Sequence, residues 1–229
     1  MQSYSILIAA IIGAVYSQID KILLGQMLDI QSVGFYTATI TICSIWAFFP
    51  GALLDSARPI IMELKEKSND LYIRRIKQLS ALIIWLSIVV AIFITFTAKW
   101  IVLFLYGSEY VKSVPLLQLY CWTSCFPFLA SIRTIWFICE RKVKFEMIFE
   151  MVAMIIFPIL SYIFIHLYGM AGAVWAVLAS KLITVIIVPF ILKDTREIVL
   201  LFKEALFLKN IITKDEIQRI KYYFEKAKC

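Results

Sequence analysis

The sequence predicts an all-α, polytopic membrane protein built as a bundle of six transmembrane helices, and three observations carry that prediction. Of its 229 residues 62% are hydrophobic, giving a mean hydropathy of +0.87. Only 17% are charged, and these gather between the apolar runs instead of alternating with them. The runs themselves are continuous and about twenty residues long, which is what a helix rising 1.5 Å per residue needs to cross a hydrocarbon layer of about 30 Å. Strands of a membrane barrel would alternate with a period of two over about ten residues. Continuous runs of this length must satisfy their own backbone as helix.

Taken in order, the spans fall at residues 3–24, 33–54, 79–98, 114–139, 145–168 and 172–192. The first run has no basic leader and carries Asp20 and Lys21 where a cleavage site would need small residues, so it reads as a span and not a signal. The links alternate in basic content. Residues 25–32 contain no Lys or Arg; 58–77 contain Arg58, Lys65, Lys67, Arg74, Arg75 and Lys77. Only Lys99 and Lys112 separate the third and fourth spans, Arg141, Lys142 and Lys144 mark the next turn, and the following turn has none. Basic loops stay on the cytoplasmic side. One topology satisfies every loop: both termini are cytoplasmic, and the links after spans one, three and five face outward.

Two further segments are expected to lie along the membrane. Residues 99–106 (KWIVLFLY) are apolar, aromatic and too short to cross, and they end at Gly107. Residues 196–229 form a basic tail, in which Leu200, Phe207, Ile211, Ile217, Ile220 and Tyr223 provide greasy positions opposite Lys203, Lys214, Lys221 and Lys228. Such a tail either rests on an anionic leaflet or stays in solvent. The chain therefore divides into a six-helix bundle, 1–195, and this tail. Its net charge of +7 reports orientation first and does not indicate nucleic-acid binding. The five cysteines lie mostly within spans, where thiols act as small apolar groups. Cys121 and Cys125 are one turn apart, but no His or carboxylate completes a metal set, and no cofactor is implied.

Charges inside the spans are the most informative residues. Arg133 and Lys181 lie within a turn or two of the middle of their spans, and the Asp20–Lys21 pair is deeper than a membrane edge requires. An ionisable group at such depth costs about 2.5–3.5 kcal/mol, so it faces a partner or a watery cavity. Three separated cations point to a path for something anionic. On span one, Gly13, Tyr16, Ser17, Asp20, Lys21 and Leu24 share an arc of about 140° and should look inward. Asp20 either pairs with a cation of another helix or binds a proton or sodium ion; Lys21 either holds a phosphate or snorkels outward. Arg133 offers a planar fork suited to phosphate and, facing inward, needs Asp20, Glu150 or a ligand as its anion. Lys181 is too deep to snorkel, and the row Gly172, Ala176 and Ser180 beside it allows a neighbouring helix close. Glu146 is expected to pair with Lys142, while Glu150, a turn deeper, is left to titrate. His166 is a lone interfacial histidine, and Pro50, Pro127, Pro158 and Pro189 are candidate kinks.

Several strings also resemble a known family. Residues 19–25 (IDKILLG) followed by 33–38 (VGFYTA) look like the opening of the second helix bundle of polysaccharide flippases. These are the O-antigen and capsule repeat-unit transporters of the multidrug-and-toxin-extrusion (MATE-like) superfamily. Ser56-Ala57-Arg58-Pro59 resembles that family's cytoplasmic exit, and residues 105–110 (LYGSEY) with Leu116-Leu117 are similar to its short outer segment. The resemblance runs from about residue 5 to 195 and covers one bundle, the C-terminal half, where the family has two around a central cavity. It implies a fragment, a truncated product, or half of an assembly completed by an N-terminal bundle or a second copy. It also implies a bacterial cytoplasmic membrane protein whose substrate is an oligosaccharide on polyprenyl pyrophosphate. Lys21, Arg133 and Lys181 would then meet the anionic head group, Arg58 would guard the cytoplasmic entrance, and Asp20 or Glu150 would couple an ion or lock helices. The alternatives are half of a multidrug antiporter, which would place carboxylates in the cavity, and a non-transporting membrane subunit. An enzyme would need reactive groups on substantial loops, and none appears.

Overall fold

The computed structural model describes residues 18–207, and among them every regular element is helical. Five segments are long and apolar enough to cross a membrane: Ile30–Lys67, Asn69–Tyr106, Ser113–Cys139, Val143–Tyr168 and Met170–Ile191. The sixth expected span is represented by helix α1, Ile19–Met27; the rest of it, like the tail beyond Phe207, lies outside the described residues.

Helix α2, Ile30–Lys67, starts at Asp29, whose carboxylate accepts the Ser32 N–H at 2.6 Å and so satisfies one of the open donors of the first turn. It runs through Pro50 and Pro59 to Ser68, where extended backbone (φ −160°) breaks it. Helix α3, Asn69–Tyr106, returns antiparallel. At 1.5 Å per residue each is about 57 Å long, nearly twice the hydrocarbon thickness, so the α2–α3 hairpin projects beyond the apolar layer. The projecting end carries the six basic residues of the second link.

Residues 99–106 do not lie along the surface as expected; they are the last two turns of α3. Nothing in KWIVLFLY breaks a helix, and each added residue gains a backbone hydrogen bond once the helix exists. The stop comes at Gly107, with φ +81° and ψ −177°, a conformation open only to glycine.

The next span is interrupted. Helix α4, Ser113–Tyr120, tightens into a 3₁₀ turn at Cys121–Thr123 before helix α5, Cys125–Cys139. Pro127 has no N–H for the Thr123 carbonyl four residues earlier, and its ring crowds that carbonyl. Thr123 and Ser124 turn their hydroxyls back onto the carbonyls of Tyr120 and Cys121. Helix α5 ends in a Schellman turn: the Lys142 N–H donates to the Phe137 carbonyl at 2.8 Å and the Arg141 N–H to Ile138 at 3.2 Å, with Arg141 left-handed at φ +55°. Helix α6, Val143–Tyr168, then runs back to Gly169 (φ +60°) and helix α7, Met170–Leu182. The α6–α7 turn allows no side chain at Gly172, where a Cβ would lie 1.8 Å from the Phe164 carbonyl oxygen.

Beyond α7 the helix widens into a π turn, Ile183–Ile187, and continues as the short α8, Val188–Ile191. Helix α9, Arg196–Leu206, folds back on the basic end of α3. It buries Ile198, Val199, Leu201, Phe202 and Ala205, and Lys77 bonds Glu204 across the contact. The buried face differs from the one expected: Leu200 is 44% exposed and Phe207 70%. Packing on α3 selects this face, and helical spacing alone had left the choice open. Among the described residues the core has three centres. One, around Tyr72, Ile83, Trp136 and Phe149, fills the basic half; the other two, around Ile42 and Leu117 and around Tyr36 and Val174, fill the opposite half.

Candidate functional site

The helical hairpin α5–α6 fixes Arg133. Its turn is centred on Arg141, so Arg133, eight residues before, is level with Phe149, eight residues after. The guanidinium lies over the Phe149 ring at 5.0 Å and near Phe137 at 5.8 Å. It is 2% exposed. Its long side chain leans toward the turn, where Nε and Nη2 each donate to Glu146 at 3.3 Å. The partner of Arg133 is therefore Glu146, and not Asp20 or Glu150. The expected Glu146–Lys142 pair does not form. Lys142 instead donates to the Asp194 carbonyl at 2.6 Å and lies 4.8 Å from the Trp136 ring centre, while Thr134 Oγ1 donates to Glu146 at 2.7 Å.

The third donor of Arg133, Nη1, reaches the backbone carbonyl of Thr184 at 2.7 Å. The carbonyl is available because of its local sequence. In the π turn the Val188 N–H bonds Ile183, five residues back, so Thr184 would need the N–H of residue 189. Residue 189 is proline and has none. A regular α-helix here would push the Pro189 ring against the Val185 carbonyl, which the wider turn avoids. Sequence reasoning marked Pro189 as a kink but missed its consequence five residues upstream.

Lys181 sits one turn before Thr184, whose hydroxyl donates to Ser180 at 2.9 Å. It is half-buried and lines a cleft of about 190 Å³ with Cys43, Ser44, Tyr120, Ser124 and Phe128, between α2, α5 and α7. Its ammonium has no hydrogen bond and no ion pair within 4 Å among the described residues. Glu150 attracts it and Arg133 repels it from a distance. Glu150 is exposed on α6.

Asp20 reaches the same cleft indirectly. The carboxylate is 7% exposed and accepts the Tyr36 hydroxyl at 2.7 Å and the Lys21 N–H at 2.9 Å. Tyr36 meets Tyr120 edge to face at 6.3 Å, and Tyr120 lines the cleft. Nothing in the local pattern had singled out either tyrosine. Lys21, the next residue round α1, is half-buried. Arg58 is exposed at the basic end beside Asp55 at 3.9 Å, about 16 Å further along α2 than Ala47 of the cleft. The structure thus links Asp20, Tyr36, Tyr120 and Lys181 through one region, keeps Arg133 behind it in an internal network, and leaves Arg58 apart.

Neither the comparison with curated proteins nor that with solved structures finds a match. Residues 2–115, just under half of the chain and including Asp20, Tyr36, Cys43 and Ser44, match the family model described as polysaccharide biosynthesis protein.

Proposed function

We propose that the chain takes part in moving a polyprenyl-pyrophosphate-linked oligosaccharide across the bacterial cytoplasmic membrane, for O-antigen, capsule or exopolysaccharide synthesis. One observation carries this reading: Lys181, inside a membrane-spanning helix, lines a cleft large enough for a phosphate group, and its ammonium has no acceptor among the described residues. A cation held so deep costs about 2.5–3.5 kcal/mol unless an anion or water meets it. A pyrophosphate head group supplies that anion, and lysine is a compact charge suited to it. The family match to residues 2–115 supports a polysaccharide setting.

In this reading the bundle corresponds to the C-terminal half of a MATE-like flippase. It works with an N-terminal six-helix bundle or a second copy, which closes the open side of the cleft. Asp20, held by Tyr36, provides the ion-coupling or helix-locking group. Glu150 balances Lys181, Lys21 adds positive potential from α1, and Arg58 guards the cytoplasmic mouth. An organic-cation antiporter would need a carboxylate where Lys181 stands, which favours the anionic cargo.

The test is binding of farnesyl pyrophosphate to the purified chain in phosphatidylcholine nanodiscs, read by calorimetry. Lys181→Gln should weaken binding about tenfold, the worth of one charge-assisted contact. Unchanged binding in that variant would remove Lys181 from the site and with it the proposal.

A further inference from the structure

We infer that Arg133 is a positioning residue for the Lys181 site: by holding the Thr184 carbonyl it keeps the π turn at Ile183–Ile187, and the π turn sets the direction in which Lys181 points. The inference rests on the anion-site reading above, and it assigns to Arg133 a task other than touching the cargo.

Three observations converge. First, the donors of Arg133 that form hydrogen bonds are directed at protein: two at Glu146 and one at Thr184. The guanidinium is buried against the aromatic rings of Phe149 and Phe137 and does not line the cleft. Second, in the π register the Thr184 carbonyl would need the N–H of residue 189, which is proline, and Arg133 supplies the donor. In an α register the Val188 N–H would bond it, and the carbonyl would no longer depend on Arg133 for a donor. The guanidinium and the Pro189 ring therefore favour the same register, one by binding the carbonyl and the other by disfavouring the narrower helix. Third, the two sides of the turn are differently anchored. Helix α8 leads into α9, which is docked on α3 through its buried apolar face and the Lys77–Glu204 bridge. Lys181 is on the other side, one turn before Thr184.

Resolving the π turn to α would change the register between Lys181 and α8 by one residue, about 100° of rotation and 1.5 Å of rise. A rotation of that size removes an ammonium from a cleft of about 190 Å³. The Arg133–Glu146 pair thus biases the segment toward the register that presents Lys181.

The experiment uses the full chain in phosphatidylcholine nanodiscs, with spin labels on unnatural amino acids at the exposed positions Trp175 and Ile191, one on each side of the turn. Arg133→Gln removes the carbonyl's partner. Pro189→Ala leaves every charge in place but lets the α register close, and it serves as the second variant should Arg133→Gln fold poorly. Both variants are expected to change the 175–191 distance, measured without ligand by pulsed EPR, by at least the 1.5 Å register step. Both are expected to weaken farnesyl pyrophosphate binding about tenfold. A wild-type distance and wild-type binding in Pro189→Ala would overturn the inference. So would weakened binding in Arg133→Gln at an unchanged distance, which would make Arg133 a direct contact. Undiminished binding in Lys181→Gln would topple the anion-site reading instead, while the ligand-free distances would still decide whether Arg133 holds the turn.

Discussion

Replacing Glu146 by leucine should be the most damaging single change in the Arg133 network, and the cost follows from what remains. Arg133 is 2% exposed and Glu146 19%. Removing one partner of a buried pair leaves an uncompensated charge, typically worth about 3–5 kcal/mol. Arg133 would keep the Thr184 carbonyl and its aromatic neighbours, and some water reaches the Glu146 side, so the lower figure of about 3 kcal/mol applies here. Arg133→Met removes the cation, strands the Thr184 carbonyl and leaves Glu146 with Thr134, for about 2 kcal/mol. The double variant carries no buried charge. Its remaining deficit is the stranded carbonyl, again about 2 kcal/mol. The coupling between the two positions is then about 3 kcal/mol, well above the ~0.6 kcal/mol average for hydrogen bonds between membrane helices. Equilibrium unfolding in mixed micelles, followed by helical circular dichroism, gives the four free energies of the cycle. The partly exposed Lys65–Glu140 bridge at the basic end is the control, with an expected coupling below about 1 kcal/mol. A coupling at Arg133–Glu146 no larger than that control would refute the view that these charges depend on one another.

Gly172→Ala should destabilise by about 1–3 kcal/mol in the same assay, because the added Cβ meets the Phe164 carbonyl and the α6–α7 turn must open to admit it. A thermal midpoint equal to wild type would contradict that contact. On α9, Phe202→Ala should cost about 3 kcal/mol and Leu200→Ala within about 0.5 kcal/mol, since only the first faces α3; equal costs would mean that the helix does not dock by this face. The Ser32 N–H holds the Asp29 carboxyl below the ordinary carboxylate range, with Lys112 adding to the effect. A depressed folded-state pKa contributes stability that is present above the unfolded pKa and lost as pH falls through the folded value. The stability difference between wild type and Asp29→Ala should therefore be level near neutrality and shrink as the pH drops below the ordinary carboxylate range. A difference that grew on acidification would reverse the sign of the argument.

The membrane-spanning pattern was legible because it depends on length and apolarity, which local sequence records directly. Where each helix stops was less so. Helicity does not end with the expected span: α2 runs through its polar end to Ser68, and α3 runs through the apolar residues 99–106 to Gly107, where the backbone itself turns. Arg133 and Lys181 stood out as buried cations, yet the sequence could not assign their partners. The choice of Glu146 over Glu150 depends on the tilt of a long side chain toward the Arg141 turn, and on Thr134 completing the carboxylate's hydrogen bonds. Tyr36 and Tyr120 carry no local signal, because a tyrosine in a span becomes informative only when its hydroxyl meets a particular carboxylate. Pro189 did carry a signal. A missing N–H always leaves a carbonyl upstream, and asking where that carbonyl finds a donor leads to Arg133.

The two deep cations answer the same energetic demand in opposite ways, and the contrast bears on function. Arg133 has its charge met by Glu146, its guanidinium packed against the rings of Phe149 and Phe137, and a backbone carbonyl within 2.7 Å. A fold that meets one cation so fully has the means to meet another, and α6 carries a second carboxylate, Glu150, that acts on Lys181 only from a distance. Placing Lys181 against hydrocarbon would forfeit about 2.5–3.5 kcal/mol, and Glu150, exposed within the apolar length of α6, would add a comparable penalty. Charges left open at this depth are tolerated where water, a ligand or another protein surface reaches them. In the proposed function, the side of the bundle that bears Lys181 would meet the anionic cargo and the companion bundle, whereas the exposed aromatic residues Phe96, Trp100 and Phe104 of α3 suit lipid and its interface.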